Sequence, residues 1–127
     1  MNKPGTVRRR EDTRVLFLAL ELGRKEWKLG FATGMGKRPR ERVVEAGDVE
    51  NLAIEIERAK RRFGLTRDAE VVSCYEAGRD GFWIHRFLES IGVASHVVDS
   101  SSIEVKRRRR RRKTDLLDLG ALLRLLM

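Results

Sequence analysis

From Val15 to Leu20 the chain reads VLFLAL, apolar without a break. A strand with one wet face alternates apolar and polar residues. An unbroken run of this length predicts a strand buried on both faces. It is far too short to cross a membrane. The chain has 127 residues, enough for one domain and one core. That strand is therefore expected at the centre of the fold, with material on either side of it.

The residues after this run set the order of the elements. Gly23-Arg24-Lys25 reads as a turn, and Trp27 to Thr33 alternates as a second strand. GMGKRPR is a loop and ERVVEAG a short third strand, so the opening is an antiparallel meander. The period then changes. Val49, Leu52, Ile56, Ala59 and Phe63 recur at steps of three and four, which predicts an amphipathic helix over 48–63. Asp48 is its expected N-cap and Gly64 its stop. AEVVSCYE is a fourth strand. Asp80 is expected to cap a second helix that buries Ile84, Phe87, Leu88 and Ile91 and ends at Gly92. SHVVD is a fifth strand, 100–112 a loop, and the chain is helical again from Thr114. The order β-β-β-α-β-α-β-loop-α predicts an α/β fold of the ribonuclease H-like type, a three-strand meander followed by alternating helices and strands. Residues 1–13 are expected to be a flexible basic leader and 14–127 one domain. The leucine-rich end from Leu116 to Met127 is too apolar for a free tail. It is expected either to pack on the sheet or to meet another chain, as in a longer protein cut short at its C-terminal helix.

Charge narrows the partners. The net charge is +9 and the pI about 10.6. Such a surface meets nucleic acid most often, and an anionic membrane face second. The single cysteine, Cys74, excludes an internal disulfide and a cysteine zinc site. The N-terminus MNKPGTVRRREDTR has no apolar core of a signal peptide. A soluble intracellular protein is the expectation.

Four carboxylates stand out. Glu21 ends a strand read as buried on both faces, and Glu76 follows a strand of the same kind. Alone, each is adequately read as a strand-end residue in water. Asp115 and Asp118 are three apart at a helix start, where acids complement the helix dipole. Taken together the four mean more. In the predicted order the first and fourth strands are neighbours, and a later helix can bring both aspartates to their ends. Clustered carboxylates repel unless a cation lies between them, and magnesium favours oxygen ligands. Two such ions about 4 Å apart can hold the attacking and leaving oxygens of a phosphodiester. His85 and His96 lie alone and read as structural or surface residues.

Three segments carry a resemblance. YEAGRDGFWIHRFLESIGVASHVVDSSSIEV, followed by RRKTDLLD, resembles the N-terminal domain of the DEDD transposases of the bacterial insertion-sequence family numbered one hundred and ten. LALELGRKEWKLGF is similar to that family's opening strand and hairpin. The resemblance implies a RuvC-like domain whose four acids bind magnesium and act on DNA strands. It also implies recombination guided by a bridge RNA, a homo-oligomer in the full-length protein, and a bacterial cytoplasmic location without a membrane. Carried over, the acids are Glu21, Glu76, Asp115 and Asp118. Glutamate stands at the first position, where the family has aspartate. The extra methylene moves the ligand atoms outward, and a misplacement of about 1 Å can cost roughly a hundredfold in rate. Family members continue into a domain with a nucleophilic serine. The sequence stops before one, so full strand exchange by this chain alone is not expected.

The basic run Lys106, Arg107, Arg108, Arg109, Arg110, Arg111, Arg112 and Lys113 repels itself as a regular element and reads as a loop. It is expected to bind phosphate backbone without reading bases, or else to be a solvated loop. Arg79 either meets a phosphate or pairs with an acid. Phe82, Trp83 and Phe87 read as core or interface rather than as base-stacking groups, and Trp27 as packing. Two rival readings stay open. One is a catalytically inactive nucleic-acid-binding remnant. The other is a nucleotide-binding domain of the actin and sugar-kinase type, which needs glycine-rich turns where LELGRKEW offers only Gly23.

Overall fold

A computed structural model describes residues 14–34, 38–77, 82–99 and 118–127. The elements are β1 (Val15–Leu22), β2 (Glu26–Ala32), β3 (Arg40–Glu45), α1 (Val49–Arg62), β4 (Glu70–Glu76), α2 (Trp83–Ser90), β5 (Ala94–Val98) and α3 (Leu119–Leu126). The five strands form one sheet in the order β3-β2-β1-β4-β5, with β1 in the middle. β1 to β3 make the antiparallel meander. β4 joins β1 in parallel and β5 joins β4 in parallel. The α/β order read from the hydrophobic pattern is the order observed.

Strand alternation sorts the side chains onto two faces. Leu16, Leu18 and Leu20 of β1 join Trp27, Leu29, Phe31, Val71 and Tyr75 in the main core. Leu52, Ile56 and Ala59 of α1 and Ile84 and Leu88 of α2 cover that face. On the other face Ala19, Ala32 and Cys74 meet Leu119, Leu122 and Leu123 of α3. One core was expected, and the structure has a second, smaller one. The cause is the central strand itself, which is apolar on both sides and so needs a cover on each.

The small residues of that second face let α3 lie close. A Cβ added at Gly30 would sit 3.4 Å from both Leu119 Cβ and Leu119 Cδ1, and 3.5 Å from Leu123 Cδ1. Cys74 Sγ donates to the Leu122 carbonyl oxygen at 3.4 Å. The leucine-rich end therefore packs on the sheet. Leu122 is fully buried, while Leu125 is 46% exposed.

Caps set the helix bounds. Asp48 accepts a hydrogen bond from the Asn51 backbone N–H at 3.1 Å, as its position predicted. The stops at Gly64 and Gly92 use φ of 72° and 85°, conformations costly for any residue with a Cβ. Two expectations fail. α2 begins at Trp83 with Phe82 as its N-cap, without a side-chain cap, and the expected cap Asp80 lies outside the described residues. Ile91 is 41% exposed, because the chain has already turned out of the helix there.

A polar brace ties α1 to the meander edge. Glu55 is buried and accepts from Arg42 Nε on β3 at 3.2 Å and from Arg58 Nη1, one helical turn on, at 3.2 Å. Arg40 Nη2 approaches the same carboxylate at 3.8 Å. A buried carboxylate without such cations would be strongly destabilising.

Candidate functional site

The register of β1 and β4 places two acids side by side. Leu20 is opposite Tyr75 in the parallel pairing, so Glu21 and Glu76 stand at one level, a residue further on. Neighbouring strands lie about 4.8 Å apart. Leu20 and Tyr75 point into the main core, so Glu21 and Glu76 belong to the other face. That is the face carrying Ala19, Cys74 and the docked helix α3.

α3 supplies the third acid. Asp118 is its N-cap, with extended backbone at φ −82° and ψ 173°. Its Oδ1 accepts from the Ala121 backbone N–H at 2.8 Å. The cap uses one carboxylate oxygen and leaves Oδ2 outside that bond. Asp118 is thus the N-cap of α3 rather than a residue of its first turn. Asp115 lies outside the described residues, as do Arg79 and the whole run Lys106–Lys113.

Electrostatics tie Glu21 to Asp118. The Glu21 carboxyl is held above its ordinary value, mainly by desolvation. Lys28 opposes this, while the charges of Asp118 and Glu41 add to it. Lys28 is the direct cross-strand partner of Glu21 on β2. Glu21 and Lys28 also line a hollow of about 460 Å³ along the β1–β2 turn, with Leu22, Gly23, Arg24, Lys25 and Glu26. Lys28 and Glu41 were not foreseen. Hairpin register alone could have found Lys28, by counting back from the turn.

The donor chemistry fits a hard divalent cation. Carboxylate oxygens are the ligands such an ion prefers, and desolvation first, then the charges of Asp118 and Glu41, makes the ionised form of Glu21 costly. Among the described residues, however, no three acids, histidines or cysteines come close enough to hold a metal ion. His96 is exposed on β5, and His85 packs edge-on against Phe82 at 6.4 Å. Trp27 is buried and packs on Trp83 at 5.9 Å, as expected of packing groups. Phe82 is 61% exposed and is not part of the core.

Known proteins share both the fold and the sequence. No protein-family model matches the chain. The large terminase nuclease from thermophilic phage G20c, known from its crystal structure, is similar with a TM-score of 0.50 at 13% identity. The match covers 77% of this chain and 53% of that one. The fold is ribonuclease H-like. A curated protein of Sinorhizobium fredii (strain NBRC 101917 / NGR234), named "Putative transposase y4rJ", is 40% identical over 121 residues. Those residues are 93% of this chain and 31% of that protein, so the chain spans about a third of the relative's length.

Proposed function

We propose that this chain is the metal-binding catalytic domain of an insertion-sequence transposase, of the DEDD family numbered one hundred and ten. One observation carries the reading. Glu21 and Glu76 stand level at the carboxyl ends of adjacent parallel strands, on the face where α3 presents Asp118. The ribonuclease H-like fold and the name of the Sinorhizobium relative support it.

In this reading Glu21, Glu76 and the uncapped oxygen of Asp118 hold magnesium together with Asp115. Bound magnesium supplies charge stabilisation to the attacking and leaving oxygens of a DNA phosphodiester. Lys28 limits the repulsion on Glu21 before the cation arrives. Helix α3 sets the reach of Asp118, because its leucines fix the helix against Ala19, Ala32 and Cys74. Lys106–Lys113 and Arg79 bind the DNA or guide-RNA backbone by charge. Bridge-RNA guidance, homo-oligomerisation of the full-length protein and a bacterial cytoplasmic location belong to the same proposal. Among the described residues no helix is long and apolar enough to cross a membrane.

A second reading is favoured by a specific observation. Among the described residues no three acids, histidines or cysteines are grouped to hold a metal ion, and one oxygen of Asp118 is spent on its helix. A catalytically inactive nucleic-acid-binding remnant would look the same. Calorimetric titration with magnesium separates the two. The catalytic reading expects saturable binding that a Glu76→Ala, Asp115→Ala double variant abolishes. Identical binding by that variant sinks the site. DNA binding that depends on salt but not on magnesium or the acids establishes the remnant.

A further inference from the structure

The brace between α1 and β3 carries more positive charge than a brace needs. One carboxylate, Glu55, is met by three guanidinium groups, from Arg40, Arg42 and Arg58. Two positive charges remain uncompensated within the cluster. The Glu55 side chain is only 8% exposed, whereas those of Arg42 and Arg58 are 43% and 51% exposed. The acid is therefore underneath, Arg42 and Arg58 are on top, and Arg40, 19% exposed, lies between. Among the described residues Arg42 and Arg58 each spend one N–H on Glu55, out of the five a guanidinium carries. Arg40 Nε is buried with no hydrogen-bond partner.

The arrangement continues outward. Arg40 and Arg42 alternate along β3 on one face, about 7 Å apart. Arg61 and Arg62 lie three and four residues beyond Arg58 on α1, and both are exposed. The nearby acid Glu57 is paired to Lys60 at 3.3 Å. One buried carboxylate is balanced by one positive charge, so bracing alone does not account for three arginines. Planar forks with outward N–H groups match phosphate oxygens.

We propose that Arg40, Arg42 and Arg58 form a phosphate-backbone site for nucleic acid, on the face of the sheet opposite the carboxylates. Glu55 orients the three guanidinium groups from beneath. The site reads no bases, and a phosphodiester backbone is its ligand class. It is separate from the run Lys106–Lys113 and from the acids, and it does not require that the acids bind metal.

The test uses the whole chain in EDTA, so the carboxylate reading cannot affect the outcome. Affinity for a duplex DNA and for an RNA hairpin is measured against salt concentration. For the duplex, each lost phosphate contact lowers the salt slope by about 0.9. An Arg42→Gln, Arg58→Gln variant is expected to lose at least about tenfold in affinity and to lower the slope by nearly 2. The corresponding double lysine variant keeps the charge and is expected to keep the slope. Should the double glutamine variant fail to fold, Arg58→Gln alone removes a half-exposed pair and is expected to lower the slope by about 1. The DNA and RNA arms show which backbone is preferred. Unchanged slope and affinity with both nucleic acids, in folded glutamine variants, overturns the proposal and leaves the cluster a brace.

Discussion

Gly30 is where the geometry of α3 can be tested by size alone. A Cβ placed there meets Leu119 atoms at 3.4 Å and Leu123 Cδ1 at 3.5 Å, which is ordinary van der Waals contact. Gly30→Ala therefore fits. It removes backbone freedom from the unfolded chain, a gain of about 0.5–1 kcal/mol for a strand interior. The buried methyl adds up to about 0.8 kcal/mol. Alanine is thus expected to stabilise the chain by about 1 kcal/mol. Valine carries two further methyl groups into space already taken by Leu119 and Leu123. Overpacking of this kind costs about 1–3 kcal/mol. Both variants share the backbone gain, so Gly30→Val is expected to be less stable than Gly30→Ala by roughly the overpacking cost, 1–3 kcal/mol. Urea unfolding followed by tryptophan fluorescence measures both, since Trp27 and Trp83 lie on the other face. A valine variant as stable as the alanine variant would refute the docking of α3, and with it the placement of Asp118.

Glu21, Glu55 and Cys74 each give a further test. Glu21 has a raised carboxyl pKa, so its ionised form costs stability in the fold. That cost is absent well below its ordinary value of 4.5 and present once the pH passes the raised value. In EDTA, Glu21→Gln is expected to exceed the parent in stability at neutral pH and to lose that advantage by about pH 3; an advantage that grows on acidification contradicts it. Glu55→Ala leaves Arg40, with its buried Nε, facing no carboxylate, and is expected to cost about 1–3 kcal/mol in urea unfolding. The Cys74 thiol is buried and pushed up to about 12 by desolvation, so iodoacetamide at mildly alkaline pH is expected to modify it only as fast as the chain unfolds.

Much of this arrangement is legible before any coordinates. The unbroken run of β1 announces a central strand, and the switch of period at Asp48 announces α1. Together they place Glu21 and Glu76 on neighbouring strand ends. The second core is less legible, because Ala19, Gly30, Ala32 and Cys74 are small and give a weak hydrophobic signal. They matter through the close approach they permit. The TDLLD segment offers two aspartates three apart, and each precedes leucines, so spacing cannot say which caps the helix. Only the docking of Leu119, Leu122 and Leu123 selects Asp118. Glu55 did leave a trace, as an acid on the same helical face as Leu52, Ile56 and Ala59. Its partners could not be named without the pairing of β3, which sets which arginines face α1.

The central claim is that Glu21 and Glu76 act on one cation. A double-mutant cycle in magnesium affinity, using Glu21→Gln, Glu76→Gln and the pair, measures this directly. If one ion bridges them, each single change weakens binding and the second adds little, giving a coupling of about 1–3 kcal/mol. Losses that simply add, or magnesium binding that ignores both changes, contradict the account.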